Sequence, residues 1–259
     1  MHKLVFITGA SSGIGQALAW CFYQAGYDLA LVARRVGEMQ QWADTRQIDG
    51  ARFRLYAADV ADVESIVAAG QSCLALQGIP AVVVANAGIS VGMDTAERDD
   101  LAVMARTFAV NNTGLAATFH PFVEPMRRRG SGRLVGIASV AGIRGLPGHG
   151  AYCASKAGVI SYCESLRGEL RGSGVRVVTL SPGYIDTPLT RQNRYAMPFL
   201  MAAPTFAEYA LRAIESGVSY RVIPWQMGFV AKLLRLLPDS LFDRLLAGRP
   251  RKHREPRSS

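Results

Sequence analysis

The sequence predicts a single-domain α/β fold, a doubly wound parallel sheet of the Rossmann type with helices on both faces. Three observations lead there. The first is an apolar run, Leu4 Val5 Phe6 Ile7, that feeds directly into a glycine-rich turn and a helix start, Thr8 Gly9 Ala10 Ser11 Ser12 Gly13 Ile14 Gly15 Gln16. The second is the steady alternation of strand and helix signals along the chain, which marks a right-handed parallel sheet. The third is Ala81 Val82 Val83 Val84 Ala85, an unbroken apolar stretch of the kind that forms a central strand buried on both faces. With 259 residues, 49% of them hydrophobic, the chain can bury a large core and remain one domain.

The first turn has glycine where the geometry needs it. Gly9 takes the backbone angles that turn the chain, Gly13 removes a side chain where a phosphate approaches, and Gly15 lets the helix sit close on the strand. The helix N-terminus then faces a ligand. Its unpaired N–H groups and positive dipole end favour an anion such as a pyrophosphate, with the Ser11 and Ser12 hydroxyls as further donors. Ala17, Leu18, Cys21 and Phe22 face inward at helical spacing, and Gly26 stands at the C-cap. The second strand, Asp28 to Ala33, ends in Arg34 Arg35. In this fold that strand end lies beside the adenosine ribose, where an acidic residue would accept from the hydroxyls of NAD. Two guanidinium forks suit the 2′-phosphate of NADP instead. The alternative is a pair of solvated surface charges.

The third strand, Arg52 to Ala58, closes on Asp59 Val60, and a helix follows from about Asp62. The apolar strand at residues 81–85 runs into Asn86 Ala87 Gly88. A long helix is expected around Val110 to Arg129, a strand from Arg133 to Ala138, a helix from about Tyr152 to Arg171, and a strand from Val175 to Leu180. Tyr152 and Lys156, at i and i+4, share one helix face, so a phenol and an ammonium can converge. A free phenol titrates near ~10, and a neighbouring positive charge favours the phenolate, which predicts that Lys156 brings Tyr152 toward the range of a general acid/base. Ser139 follows the strand ending at Ala138, at the carboxyl edge of the sheet where ligands bind, and its hydroxyl can donate to a substrate carbonyl oxygen.

Together these motifs resemble the short-chain dehydrogenase/reductase family from Lys3 to about Thr190: G-x-x-x-G-x-G at Gly9 to Gly15, Asp59-Val60, N-A-G at Asn86 to Gly88, V-N-x-x-G at Val110 to Gly114, Ser139, Y-x-x-x-K at Tyr152 to Lys156, and Pro182-Gly183 with Thr187. The resemblance implies an NADP(H)-dependent oxidoreductase that moves a hydride between nicotinamide and a carbonyl or secondary alcohol. It makes Tyr152 the proton donor or acceptor and gives Ser139 the substrate oxygen. Lys156 holds the nicotinamide ribose, and Asn111 anchors a water that links Lys156 to solvent. The turn with Ser11, Ser12 and Ile14 holds the pyrophosphate, Asp59 and Val60 border the adenine, and the small residues Asn86, Ala87 and Gly88 leave room for a ribose. Pro182, Gly183, Ile185 and Thr187 wrap the nicotinamide. It also implies a homodimer or homotetramer. Ala138 replaces a serine often found before the catalytic one. Two other functions share these residues, a cofactor-binding regulator without turnover and an isomerase or dehydratase using the same Tyr-Lys pair. The intact Asn111, Ser139, Tyr152 and Lys156 argue against the first; the chain length and glycine spacing argue against the second.

Beyond Thr190 the resemblance fades. A variable substrate loop is expected over about 189–215, where Met197, Phe199, Leu200, Met201 and Phe206 fit an apolar substrate, a mobile lid or a helix packed on the body. Four cysteines without C-x-x-C spacing or a metal-like cluster point to buried thiols, no metal site and a reducing, cytoplasmic compartment. No signal region or spanning stretch is seen, and no nucleic-acid motif accompanies the +9 charge. From Lys232 to Ser259 there are eight Lys/Arg against three Asp/Glu. The dehydrogenase domain is expected to span 1–228, followed over 229–259 by a basic amphipathic segment with a disordered tail from about 249. Phe229, Val230, Leu233, Leu234 and Leu237 form one stripe before Pro238, and Leu241, Phe242, Leu245 and Leu246 a second. Two readings stay open: these stripes pack on the body or a second subunit, or they lie on an anionic membrane surface.

Overall fold

In the computed structural model, which describes residues 2–193, 195–248, 252 and 254, the chain runs β1 (Leu4–Thr8), α1 (Gly13–Gln24), β2 (Asp28–Ala33), α2 (Val36–Thr45), β3 (Phe53–Ala57), α3 (Val63–Leu76), β4 (Val82–Ala85), α4 (Asp100–Phe108), α5 (Gly114–Arg129), β5 (Gly132–Ile137), α6 (Gly150–Glu169), β6 (Val175–Pro182), β7 (Ile185–Asp186), α7 (Pro188–Arg191), β8 (Met201–Ala202), α8 (Ala203–Ser216), β9 (Tyr220–Ile223), α9 (Trp225–Leu236) and α10 (Asp239–Leu246). The main sheet has seven parallel strands in the order β3-β2-β1-β4-β5-β6-β9. The winding reverses between β1 and β4, which opens a crevice at their carboxyl ends.

The apolar run of each inner strand is explained by two cores. Val5, Ile7, Val82 and Val84 point to the side covered by Leu18 and Phe22 of α1 and Phe206, Ala210 and Ile214 of α8. Their neighbours Leu4, Phe6, Val83 and Ala85 point to the other, against Ile66 of α3, Phe119 and Phe122 of α5 and Val159 of α6. Strand residues alternate between faces, so a strand covered on both sides needs apolar residues at every position.

Several boundaries differ from the sequence expectation. The long helix begins at Asp100 rather than Val110, and a five-residue π turn, Ala109–Thr113, joins α4 to α5 without leaving helical geometry. β9 was not anticipated. The stretch from Ala203 is not a loop: with a proline in its first turn it forms α8, which buries Phe206, Ala207, Ala210 and Ile214 against α1. Phe206 is therefore a core residue, and the irregular part of the substrate loop lies between Gln192 and Leu200.

The C-terminal stripe is also redrawn. α9 starts at Trp225 and buries Met227, Gly228 and Ala231, so Phe229 and Leu233 point outward. A Cβ at Gly228 would stand 3.1 Å from Cβ of Val222, so this close approach to β9 sets which side of the helix faces in. α10 buries Phe242 and Leu246. Arg144 holds the corner between the two helices: it donates to the Leu234 carbonyl, to the Leu237 carbonyl at 2.8 Å and to Asp239 at 2.9 Å, with its guanidinium 3.7 Å over the Phe242 ring. The tail expected to be disordered from about 249 falls mostly outside the described residues. Within it Arg254 is described, and it donates twice to Asp100, at 2.7 and 3.2 Å.

Candidate active site

The nucleotide turn sits at the crevice, and its glycines are enforced by contact. Gly9 and Gly13 have φ of +66° and +55°, where a side chain is strained. A Cβ at Gly15 would stand 2.2 Å from the Gly9 carbonyl oxygen, and one at Gly13 3.1 Å from Cγ2 of Thr187. Ser12 precedes α1 in extended geometry and its side chain makes no capping bond, which leaves its hydroxyl for a ligand at the helix N-terminus. Ser11 and Ile14 are half-buried beside it. These features form a cradle that a dinucleotide's phosphates fit.

Asn86 does more than leave space. Its side chain donates to the Thr8 and Gly9 carbonyls at 3.0 and 3.2 Å, and the Thr8 hydroxyl accepts from the Asn86 and Ala87 amides at 3.1 and 3.3 Å. The end of β4 is thereby laced to the turn. Gly88 lies between Asn111 and Lys156: its Cβ position is 3.3 Å from Oδ1 of one and 3.4 Å from Nζ of the other.

At the end of β2, Arg34 is largely exposed with one nitrogen 3.6 Å from a carboxylate oxygen of Asp59, whereas Arg35 pairs with Glu38 at 3.0 Å. Asp59 also accepts from the Ala61 amide at 3.0 Å, while Asp62 caps α3. Val60 is buried, and its carbonyl lies 2.4 Å from the Cβ position of Gly114, so only glycine fits there.

The chemical groups gather at the carboxyl end of β5. Ser139 leaves that strand, is buried, and accepts from the Ala141 amide at 3.1 Å. Lys156 is also buried, donates to the Ile137 carbonyl at 2.8 Å, and has its ammonium 5.9 Å from the centre of the Tyr152 ring. Burial pushes Lys156 down to about 8. Burial pushes the Tyr152 phenol up, and its hydrogen bond with Ser139 offsets part of that rise. The net direction is upward, which leaves Tyr152 a protonated phenol at neutral pH. Asn111 sits in the π turn, fully buried: its oxygen accepts from the Ile89 amide at 2.9 Å, and its nitrogen donates to the Ile89 carbonyl at 3.0 Å and the Ser155 hydroxyl at 2.9 Å. A π turn widens the helix by one residue per turn and is a recurrent way to aim a side chain at a functional site.

Above these groups runs the segment after β6. The Gly183 amide donates to the Ile223 carbonyl at 2.8 Å, Ile185 is buried, and Thr187 caps α7, its amide donating to the Thr190 hydroxyl at 3.0 Å. Contact of Thr187 with the Gly13 position joins the segment to the nucleotide turn. Pro182 ends β6.

Sequence reasoning did not single out three aromatic residues beside Tyr152. The His149 and Tyr195 rings meet edge-on at 5.8 Å, as do Tyr184 and Tyr195 at 6.2 Å. His149 is buried, and burial, with Lys252 nearby, lowers it to about 4. Burial raises Tyr195, and Tyr184 and Tyr152 raise it further. His149 stands three residues before Tyr152, the one local signal of its place; Tyr195 is brought in by a loop with no periodic pattern.

Known proteins place this arrangement. The family model for short chain dehydrogenases matches residues 3–197. An uncharacterized oxidoreductase of Myxococcus xanthus is 36% identical over 242 residues, covering 93% of this chain and 95% of that protein. One from Mycobacterium tuberculosis is 34% identical over 245 residues, with 93% and 96% covered. Among solved structures, an alcohol dehydrogenase of the archaeon Thermococcus sibiricus, complexed with 5-hydroxy-NADP, is similar with a TM-score of 0.77 at 28% identity, over 86% of this chain and 96% of that one. Levodione reductase shares the fold with a TM-score of 0.78 at 24% identity, over 87% and 98%. The chain belongs to the short-chain dehydrogenase/reductase family, whose oxidoreductases use a nicotinamide cofactor.

Proposed function

We propose that the protein is an NADP(H)-dependent reductase of apolar carbonyl compounds, or dehydrogenase of the matching secondary alcohols, working in the cytoplasm as a homodimer or homotetramer. The convergence of Ser139, Tyr152 and Lys156 at the end of β5, facing the crevice beside the glycine turn, carries this reading. The nicotinamide, when bound, supplies or takes the hydride.

The chain's own residues do the rest. The first turn of α1, with Ser11, Ser12 and Ile14, holds the phosphates, and Arg34 meets a 2′-phosphate with Arg35 as a weaker partner because Glu38 occupies it. Asp59 and Val60 border the adenine, and Asn86, Ala87 and Gly88 flank a ribose. Pro182, Gly183, Ile185 and Thr187 enclose the ring end. Ser139 donates to the substrate oxygen and sets its position. Tyr152, protonated at neutral pH, gives its proton to that oxygen in reduction and receives it back in oxidation. Lys156 holds the ribose and balances the charge left on Tyr152. Asn111 fixes the start of α6 and anchors the proton path from Lys156 to solvent. His149, neutral at working pH, forms with Tyr184 and Tyr195 an apolar wall that admits flat or greasy substrates.

The test is a panel of ketones, aldehydes and alcohols, including aromatic and lipid-like compounds, followed by NADPH or NADP absorbance. Turnover concentrated among the apolar compounds supports the reading. Tight NADPH binding with no turnover across the panel would replace it with the regulator.

A further inference from the structure

α9 presents two unlike faces. Its inner side is closed by Met227, Gly228 and Ala231. On its outer side stand Trp225, Phe229, Leu233 and Leu236, which keep 71%, 67%, 53% and 81% of their surface exposed. At intervals of four, four and three residues they lie on one stripe. Leu241 and Leu245, one turn apart, are the exposed apolar residues of α10. The fold does not need these side chains, because Arg144 and the inner faces already hold the helices. Single exposed apolar residues are ordinary, but a stripe of them marks an interaction surface.

Charge identifies the occupant. Lys232 flanks the stripe, three residues from Phe229 and four from Leu236, and Arg235 and Arg244 are exposed on the same two helices. Of the acidic residues on α10, Asp239 is already bonded to Arg144. The sequence from Lys232 onward carries eight Lys/Arg against three Asp/Glu, and of those cations Arg254 is bonded to Asp100. Trp, Phe and Leu on one side with cations at its margin is the pattern of a helix lying in a lipid interface, where the Lys stem runs along the apolar region and its ammonium reaches the phosphates. A neutral protein groove would leave the positive excess unbalanced. We infer that the outer face of α9 and α10 docks on an anionic lipid bilayer, lying in its surface rather than crossing it. Among the described residues no helix is long and apolar enough to cross. The inference is independent of the substrate proposed above.

The full-length protein is sedimented with phosphatidylcholine vesicles, with and without phosphatidylserine, at low and raised salt. Binding should require phosphatidylserine and weaken with salt. Phe229→Ser with Leu236→Ser should weaken it at least tenfold, and Lys232→Gln about fivefold, as expected for one basic charge near such a surface. Both variants should keep the thermal midpoint and turnover of the parent, because these side chains are exposed. Quenching of Trp225 by brominated lipid reads insertion directly, with Trp225→Phe as the blank. If the parent stays in the supernatant at low salt, or the double variant binds equally well, the inference is overturned. If the double variant instead converts a dimer to a monomer and no lipid is bound, a second copy covers this face and the inference is likewise overturned.

Discussion

Asn111 and Ser155 are joined side chain to side chain: the Asn111 carboxamide donates to the Ser155 hydroxyl at 2.9 Å, and that hydroxyl donates to the Tyr152 carbonyl at 2.8 Å. The π turn is thus tied to the backbone of Tyr152, the proposed proton carrier. Asn111→Ala strands both polar backbone groups of Ile89 and costs about 2 to 4 kcal/mol by urea unfolding, while Ser155→Ala costs about 1. Turnover should fall in both, more in the first. Parent-like stability of Asn111→Ala would remove its structural role.

Arg34 and Arg35 should contribute unequally to cofactor choice. With Arg35 paired to Glu38, Arg34→Asp should reverse or erase a preference for NADPH of roughly ten- to a hundredfold, and Arg35→Ala should lower it less. Titration of both cofactors measures this. Equal or better binding of NADH to the parent contradicts the assignment.

Tyr152→Phe removes one hydroxyl, so NADPH binding should survive while turnover falls by about two to four orders of magnitude. Lys156→Ala should lose both. Near-normal turnover of the phenylalanine variant on a good substrate would refute the role of Tyr152.

The pH profile of reduction separates the two groups. Burial holds Tyr152 protonated, so the rate should be level near neutrality and decline above about 8, where Lys156 loses its proton. Lys156→Arg, whose side chain stays charged, should retain some activity without that break. A profile of the parent that stays level far above 8 would assign Lys156 a higher value.

His149 makes stability fall in mild acid. Its value drops from 6.5 in the unfolded chain to about 4 in the fold, so between those limits the unfolded state binds more protons. Stability is complete above 6.5 and is lost as pH falls toward 4, by up to about 3 kcal/mol. Urea unfolding of the parent and His149→Gln at pH 7 and 5 checks this; equal losses in both would clear His149.

What the sequence determined by itself was the inner frame and the positions of the candidate site residues along it. β2 runs from Asp28 to Ala33 as read, and the other inner strands lie within one or two residues of their expected ends, because burial on both faces demands unbroken apolar runs. Gly9 and Gly13 were legible because only glycine relieves their backbone and contacts, and Tyr152 and Lys156 because i, i+4 spacing on a helix needs no tertiary information. What only the tertiary structure decided came from contacts between distant segments. The π turn that aims Asn111 has no periodic signature of its own. Phe206 entered the core because α1 offered it a surface, and Tyr195 reached His149 through an irregular loop. On α9, apolar residues occur all around the helix, so hydropathy alone could not orient it. The close approach of Gly228 to Val222 and the grip of Arg144 turned Met227 and Ala231 inward and left Trp225, Phe229 and Leu236 facing out.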